Sequence, residues 1–389
     1  MQIKWLPLQC YYSDKMKEVG FHIQSIISGR MIGQMAVLLV FLISIGSCGR
    51  NQLKKSDETG DTVRMKYAEN ITIVKYSDQT VVELKDPWNK GKVLHRYVFP
   101  KDKLPLTHNV VFNTAHASLI GMLHSDDKIV GVADLKYMNL PAIHRRIGKG
   151  ITDCGDSMSP DIEKIIDVKA DAVWLSPFEN SGGYGKLEKL GIPIIECADY
   201  METSALGRAE WMKFYGLLIG KEHAADSLFN IVDSAYHALM SQARESKVRY
   251  SIITEKLTGS TWYVAGGKSS VGRLIKDADG LYAWSDDEHS GSLAMSFESV
   301  LDKAGDADVW IFNDGGQQPY SYKQLRAEYH GYLSLKPFRT KRVYCVNSSI
   351  VPYFEEVSFR PDYLLADYIM LLHPDLPRRP LRYYRALTD

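Results

Sequence analysis

The sequence predicts an α/β fold in which two Rossmann-like lobes, each built on a parallel sheet, are joined by a long helix. Three observations predict it. Short β-rich runs alternate with segments of helical periodicity in both halves of the chain. A proline-free helical stretch separates the halves, and a motif from the first half returns in the second at a fixed offset. With 389 residues, the chain is long enough for two lobes that each bury a core.

The charge balance argues against one class of partner. The chain has 47 Lys and Arg residues against 47 Asp and Glu residues, and it has no basic block of five or more. Binding to a nucleic-acid backbone relies on clustered positive charge. We therefore expect no nucleic-acid partner, although the balance does not separate an enzyme from a binding protein.

Residues 1–47 have the features of a secretion leader. The run from Met35 to Ile45 is apolar except for one serine, and it is shorter than the roughly 20 residues that span a bilayer. The order Ile45-Gly46-Ser47-Cys48 resembles a bacterial lipobox, in which a signal peptidase cuts before the cysteine and its thiol carries the lipid. The alternative is a short buried core segment. We expect translation to start at Met16, because Lys17 and Arg30 then provide the positive region of the leader; Met31 is the alternative start.

The residues after Cys48 predict a tether. Residues 48–65 are polar and almost free of large apolar side chains, so they cannot form a core. We expect the protein in the periplasm or cell envelope, held to the membrane through the lipid anchor alone. Of the remaining cysteines, Cys154, Cys197 and Cys345, at least one stays free because their number is odd.

Two α/β lobes are predicted on either side of the helical stretch, over residues 66–203 and 247–389. Their strands are short β-rich runs separated by helical patterns, which favours parallel sheets covered on both faces. The predicted strands are Val110–Phe112, Lys128–Val132, Ala172–Leu175 and Ile192–Cys197 in the first lobe, and Arg249–Thr254, Val309–Phe312 and Val343–Val346 in the second.

Residues 204–246 predict a helical linker. Ser204 can cap a first helix that runs through Ile219, with Trp211, Phe214, Tyr215 and Leu218 on one face. Gly220 breaks the run, and a second helix follows from Lys221 to Glu245, reaching roughly 37 Å. Its expected buried face consists of Leu228, Ile231, Val232, Ala235 and Leu239. A linker of this composition is a stiff strut rather than a flexible tether.

An internal repeat supports the two-lobe interpretation. Residues 163–175, EKIIDVKADAVWL, return as residues 298–311, ESVLDKAGDADVWI, so that Glu163 pairs with Glu298 at an offset of 135. Each copy predicts a helix followed by a strand; chance similarity between such segments is the alternative. In the first copy we expect Ser159 as the N-cap of the helix, Pro160 as its first residue, and a buried stripe of Ile162, Ile165 and Ile166. In the second copy we expect Phe297, Val300 and Leu301 to be buried. Both glutamates lie outside the buried stripes, where they can also serve as surface residues matched to the helix dipole.

Taken together, these features resemble the iron-chelate and vitamin B12 class of periplasmic substrate-binding proteins. The segments NVVFNTAHASLIGMLHSDDKIVGVAD, SPDIEKIIDVKADAVW and SFESVLDKAGDADVWIF carry the resemblance, which covers roughly residues 105–376. It implies the class III periplasmic binding protein fold, with its helical backbone, and a role in transport rather than catalysis. The implied partners are an ABC permease dimer with its ATPase, and an iron siderophore, haem or cobalamin as the bound ligand. In that class one surface glutamate on each lobe docks into arginine pockets of the permease, and Glu163 and Glu298 stand at the matching positions.

The ligand-binding residues are expected in the loops that follow the strands. Ligands of open α/β sheets bind outside the carboxyl ends of the strands, and aromatic side chains there suit a flat corrin, porphyrin or catecholate. Each of these residues can instead serve lobe packing or a capped loop, and His116 is also a candidate axial ligand to a haem iron. The candidates are Asn113, Thr114, His116, Tyr137, Phe178, Tyr184 and Tyr200 in the first lobe, and Trp262, Tyr263, Trp284, Asn313, Gln317 and Tyr320 in the second.

Three alternatives stay open at this point. A zinc or manganese binder of the related single-helix-hinge type needs three or four His, Asp or Glu residues that converge in the cleft, and the sequence points to no such set. A cleft enzyme with a metal cofactor needs cofactor cysteines, whereas the cysteines here are scattered. A surface lipoprotein without a permease partner is the third. We expect no resident cofactor or metal, and only small lobe motions on binding because the linker is helical.

Overall fold

The computed structural model describes residues 59–89, 91–178, 183–316 and 318–389. The predicted leader, the lipidation site Cys48 and the candidate ligand residue Gln317 lie outside the described residues. Within the described ranges, no helix combines the length and the apolar content needed to cross a bilayer.

An antiparallel sheet that the sequence analysis missed precedes the first lobe. Its strands pair in chain order, so each is joined to the next by a turn or loop. They are β1 (Asp61–Thr62), β2 (Ile71–Lys75), β3 (Gln79–Lys85) and β4 (Val93–Pro100). The predicted tether over residues 48–65 is therefore too long, because β1 already pairs with β2.

Two buried glutamates fix the backbone that leads into this sheet. Glu210 has no exposed surface, and its carboxylate accepts hydrogen bonds from the backbone N–H groups of Lys66, Tyr67 and Ala68 at 2.7 to 2.9 Å. Glu202 accepts from the next two N–H groups, those of residues 69 and 70, at 2.8 to 3.1 Å. Five consecutive backbone donors are thus satisfied by two side chains that flank the start of the linker.

The first lobe holds a five-stranded parallel sheet of order β11-β10-β5-β6-β7. All four predicted strands are confirmed with shifts of at most two residues. The elements are β5 (Asn109–Val111), α1 (Thr114–Met122), β6 (Ile129–Val132), α2 (Pro141–Arg146), β7 (Thr152–Asp153), β8 (Gly155–Asp156), β9 (Ser159–Pro160), α3 (Ile162–Asp167), β10 (Ala172–Leu175) and β11 (Ile194–Glu196).

Helix α3 begins later than predicted. Ser159 and Pro160 pair in a hairpin with β8, and the N-cap is Asp161, whose carboxylate accepts from the N–H of Lys164. A carboxylate at this position satisfies a free N–H and also favours the helix dipole. Ile165 is buried as expected, but Ile166 is 51% exposed, so its predicted burial is wrong.

The linker contains three helices, α4 (Ala205–Glu210), α5 (Met212–Leu218) and α6 (Glu222–Arg244). Ser204 caps α4 as predicted, by accepting from the N–H of Gly207, but the expected single helix is divided at Trp211. Helix α6 buries a stripe with alternating spacings of four and three residues: Ala225, Phe229, Val232, Tyr236, Leu239 and Ala243. Ile231 is 59% exposed and lies off that face, which corrects its predicted burial.

The second lobe repeats the plan of the first and adds a three-stranded antiparallel sheet, β13-β14-β16. Its main sheet has the order β15-β12-β17-β18-β19, in which only the last pair is antiparallel. The elements are β12 (Ser251–Thr254), β13 (Leu257–Thr258), β14 (Thr261–Ala265), α7 (Ser270–Asp277), β15 (Leu281–Tyr282), β16 (Ser292–Met295), α8 (Phe297–Ala304), β17 (Val309–Asp314), α9 (Tyr322–Glu328), α10 (Lys336–Arg339), β18 (Val343–Asn347), α11 (Tyr353–Glu356), α12 (Pro361–Leu372) and β19 (Tyr384–Ala386). Single 3-10 turns occur at Lys101–Lys103, Asp126–Lys128, Leu135–Tyr137, Glu188–Leu190, Asp199–Met201 and His330–Ser334.

The strand orders show that the two lobes share one topology. Without the edge strands β7 and β19, the first sheet is β6-β5-β10-β11 and the second is β15-β12-β17-β18. Numbered within each lobe, both orders are 2-1-3-4. The two tryptophans of the repeat, Trp174 and Trp310, are fully buried on the equivalent strands β10 and β17.

Candidate ligand-binding site

The lobes contact each other at the carboxyl ends of their strands. Thr114, at the start of α1, donates its hydroxyl to Glu355 Oε1 at 3.1 Å, and the N–H of Asn139 donates to the same oxygen at 2.9 Å. Thr114 and Asn139 follow strands of the first lobe, whereas Glu355 lies on α11 after the last parallel strand of the second. Loops of the two sheets therefore face each other across this junction, where the topology places a ligand.

Glu355 is the buried carboxylate of this junction. It is 2% exposed, and its Oε2 has no hydrogen-bond partner among the described residues. Burial raises the pKa of Glu355, while the hydrogen bonds from Asn139 and Thr114 oppose the shift. Thr114 and Glu355 belong to different lobes, so a wider separation of the lobes must break the hydrogen bond between them.

His116 lies in a buried polar cluster beneath the junction. It is 2% exposed, and its Nε2 is 2.7 Å from Asp199 Oδ1. Asp199 also accepts from the hydroxyl of Tyr215 at 2.8 Å and from Nε of Arg208 at 3.1 Å. Burial raises the pKa of Asp199, but His116, Arg208 and Tyr215 outweigh it and hold the pKa below its ordinary value. His116 is thus a packing residue here, which corrects both its loop assignment and its candidacy as a haem ligand.

Glu255 is a site residue that the sequence analysis missed. It follows β12 directly, has φ of +64° in the left-handed region that disfavours side chains, and is half-buried. Burial raises the pKa of Glu255 to about 7, although Lys256 opposes the shift. Val111 pairs with Trp174 as Ile253 pairs with Trp310, so Glu255, two residues further on, is the counterpart of Asn113. An alignment of the two lobes on their first strands would have placed this carboxylate at the position of the candidate Asn113.

Asn113, Tyr137 and Phe178 follow strands at the carboxyl edge of the first sheet. Asn113 caps α1 by accepting from the N–H of Ala115 at 2.8 Å. Tyr137 is 48% exposed, with the Lys136 ammonium 4.7 Å from its ring centre, and Phe178 is partly exposed. Exposed aromatic surface in these loops is what a flat ligand requires.

Two further tyrosines of that lobe are engaged in internal hydrogen bonds. The hydroxyl of Tyr184 donates to Glu196 Oε1 at 2.7 Å, and burial together with Glu196 raises the pKa of Tyr184. The hydroxyl of Tyr200 donates to the carbonyl oxygen of Pro177. Both phenols therefore brace the loops that follow β10 and β11.

Three of the second-lobe candidates belong to the core. Trp262 has no exposed surface and donates Nε1–H to Thr254 O at 2.9 Å; Trp284 is 3% and Tyr320 is 8% exposed. Such side chains have little or no surface to offer a ligand, so we remove them from the candidate site. Trp262 contacts Phe297 of α8 and Trp310 of β17, so it packs the antiparallel sheet and α8 against the main sheet. The sequence pattern does not distinguish such packing from ligand stacking. Tyr263, on β14, is partly exposed.

Asn313, near the end of β17, has a buried Oδ1 without a hydrogen-bond partner among the described residues. The residues that remain candidates on this lobe are thus Asn313, Tyr263, Glu255 and Glu355. They combine polar groups with a single partly exposed ring.

Cation-binding side chains do not converge in the part of the chain that the structure describes. No group of three His, Cys, Asp or Glu residues is arranged to hold a metal ion there. Cys154, Cys197 and Cys345 are all free and buried. Burial raises the pKa of the Cys154 thiol to about 11, so this thiol is protonated at neutral pH.

The two repeat glutamates occupy equivalent positions. Glu163 and Glu298 are exposed, and each lies in the first turn of the helix that precedes the third strand of its sheet. Helices that connect parallel strands run opposite to them, so these first turns lie toward the carboxyl edge of each sheet.

The fold and the junction define a two-lobed binding protein of the class III type, in which a helix joins two α/β lobes. The chain belongs to the family described as Periplasmic binding protein, which matches residues 110–349, more than half of the sequence. This family assignment makes the chain a binding protein rather than an enzyme, and it does not favour the metal-cofactor or metal-ion alternatives.

Known relatives and structures agree with this assignment. An uncharacterized lipoprotein of Methanocaldococcus jannaschii is 23% identical over 357 residues, which cover 82% of this chain and 84% of the relative. A periplasmic heme-binding protein from Pseudomonas aeruginosa has a TM-score of 0.57 at 13% identity, covering 73% of this chain and 99% of its own. An ABC-type Fe3+-hydroxamate transport protein from Saccharomonospora viridis has a TM-score of 0.55 at 16% identity, covering 71% and 96%. At these identities the structures confirm the fold class alone.

Proposed function

We propose that this protein is the substrate-binding lipoprotein of an ABC importer. It captures its ligand between the two lobes and delivers it to the permease dimer, which is driven by its ATPase. The ligand is an iron chelate (a siderophore or haem) or a cobalamin. The observation that carries the proposal is the junction itself: two sheets of identical strand order present their carboxyl-edge loops to each other, in a chain of the Periplasmic binding protein family. The names of the heme and Fe3+-hydroxamate neighbours support the choice of ligand class.

The chemistry of the junction supports a flat ligand with polar edges. Tyr137 and Phe178 provide partly exposed aromatic surface, and Glu255 and Glu355 provide carboxylates. Aromatic faces contribute contact area at low conformational cost, while a few polar groups fix orientation.

A ligand titration tests the proposal. Purified protein is titrated with cyanocobalamin, haemin and a ferric hydroxamate siderophore, and the quenching of tryptophan and tyrosine fluorescence is followed. We expect saturable one-to-one binding of one of these ligands. Tyr137→Ala should weaken its affinity at least tenfold. The control Tyr76→Ala, which replaces a tyrosine next to β2 on the added sheet, should change the affinity by less than twofold. Failure of all three ligands to bind the folded protein would contradict the proposal.

The anchor and the docking glutamates complete the proposal. Cys48 carries the lipid after the leader is removed, and the lipoprotein name of the relative supports this assignment. Glu163 and Glu298 contact the permease, and their equivalent places on the two lobes suit a partner with two-fold symmetry. Replacement of Cys48 by alanine should release the protein from the membrane fraction, and continued sedimentation with membranes would refute the anchor.

A further inference from the structure

A cavity of about 250 Å³ lies in the second lobe, away from the junction. It opens at the amino edge of the main sheet: Tyr250 directly precedes β12, Val309 begins β17 and Arg342 directly precedes β18. The end of α12 and the loop behind it close the other side. Because ligands of the junction approach the carboxyl edge, this cavity is separate from the proposed chelate site.

The lining of the cavity is strongly cationic. Three arginines, Arg342, Arg378 and Arg379, contribute to it, and no acidic residue does. Within the described chain none of the three forms an ion pair, whereas the neighbouring Arg249 pairs with Asp279 at 3.5 Å. The closest acidic residue in sequence, Asp375, does not line the cavity and instead accepts from the N–H of Lys247 at 2.9 Å.

Local contacts hold two of the arginines in place. The guanidinium carbon of Arg342 lies 4.4 Å above the ring centre of Tyr250, a stacking contact that fixes its plane. Nη1 of Arg378 donates to Met370 O at 3.0 Å, in the last turn of α12. This bond uses one of five guanidinium N–H donors and leaves the others available to a ligand.

We propose that this cavity binds a phosphate group. Three arginines that have no ion-pair partner in the described part of the chain line one small space, and an anion bound there offsets the repulsion between their charges. A free phosphate carries more charge than a carboxylate at neutral pH, and the oxygens of a free phosphate or of a phosphodiester match the paired donors of arginine. Tyr250 and Tyr344 add two phenols to the lining as further hydrogen-bonding groups. The phosphate group belongs either to a soluble anion or to a phospholipid headgroup.

A calorimetric titration tests the site. The full chain is titrated with inorganic phosphate at low ionic strength, and the heat of binding is measured. We expect saturable binding that R378Q/R379Q weakens at least tenfold. The control K323Q/R326Q removes the same charge from α9, on another surface of the same lobe, and should keep the affinity within twofold. No saturable binding to any phosphate source, or equal loss in both variants, would overturn the proposal.

A second arm distinguishes the two sources. Cosedimentation is compared between vesicles of phosphatidylcholine alone and vesicles that also contain phosphatidylglycerol, so that any contribution of the anchor cancels. If the protein binds more to the anionic vesicles, and only R378Q/R379Q abolishes this extra binding, the phosphate belongs to a lipid headgroup. If inorganic phosphate binds but the two kinds of vesicle bind equally, the ligand is a soluble anion. If the double variant does not fold, R379Q alone replaces it, because Arg379 is exposed and does not cap α12. Because the cavity lies away from the junction, titrations of R378Q/R379Q with cyanocobalamin, haemin and siderophore should match those of the unmodified protein.

Discussion

Single carboxylates account for much of the chemistry at the junction between the lobes. Glu255 and Glu355 both lie after strands of the second lobe, and burial raises the pKa of each. A raised carboxyl pKa means that the folded state holds the proton more tightly than the unfolded state, so ionisation of these groups opposes folding. They are retained at a cost in stability, which is common for residues that serve binding.

The titration of Glu255 predicts a pH-dependent effect of its replacement. The stabilisation from its protonated form is complete below the ordinary pKa of 4.5 and is lost as the pH rises to about 7. Glu255→Gln should therefore raise Tm at pH 8 by about 2–4 °C relative to the unmodified protein, and change it little at pH 4.5. Thermal unfolding followed by circular dichroism at both pH values measures the difference. An equal shift at both pH values would show that the carboxyl charge is not responsible.

At the scale of elements, the added sheet depends on the linker. Glu210, in α4, accepts three backbone hydrogen bonds from the segment before β2. Glu210→Ala leaves three N–H groups without their acceptor and should cost about 2–4 kcal/mol in urea denaturation. Glu222→Ala removes an exposed carboxylate of α6 that pairs with Lys75 of β2, also between the linker and the added sheet, and should cost less than about 1 kcal/mol. Equal losses in the two variants would mean that the buried carboxylate does not anchor the sheet.

The helices that carry Glu163 and Glu298 make a prediction about transport. The double variant Glu163→Ala with Glu298→Ala should abolish ligand uptake by cells and leave ligand affinity in solution unchanged, because both side chains are exposed helix-surface residues. Asp226→Ala with Glu245→Ala removes two exposed carboxylates from the linker and should leave uptake intact. Loss of ligand affinity in the glutamate variant would contradict a docking role.

Sequence patterns predicted the elements better than the contacts between them. The parallel strands follow from short continuous runs of β-rich apolar residues, and all seven predicted ones are present. The pairing of Glu355 with Thr114 joins residues 241 positions apart and leaves no local pattern. Trp262 shows that a local pattern can also be ambiguous. An aromatic residue that follows a predicted strand has the same pattern whether it stacks on a ligand or fills the core, and Trp262 fills the core.

At the scale of the whole molecule, the linker limits how the lobes move. Helix α6 has 23 residues, packs along one face, and provides no flexible hinge. Ligand binding should therefore change the radius of gyration by less than about 1 Å, in line with the small backbone shifts of pre-organised complexes. Small-angle scattering of free and loaded protein measures this quantity, and a change of several ångströms would refute the rigid linker.

The account as a whole rests on a ligand held between the two lobes. Hydrogen–deuterium exchange of the purified protein tests this most directly. It is measured without ligand and with the one that saturates the protein among cyanocobalamin, haemin and ferric siderophore. We predict protection in the loops after β5, β6, β10 and β11 of the first lobe together with those after β12, β17 and β18 of the second. Protection confined to one lobe, or to the amino edges of the sheets, would contradict binding at the junction.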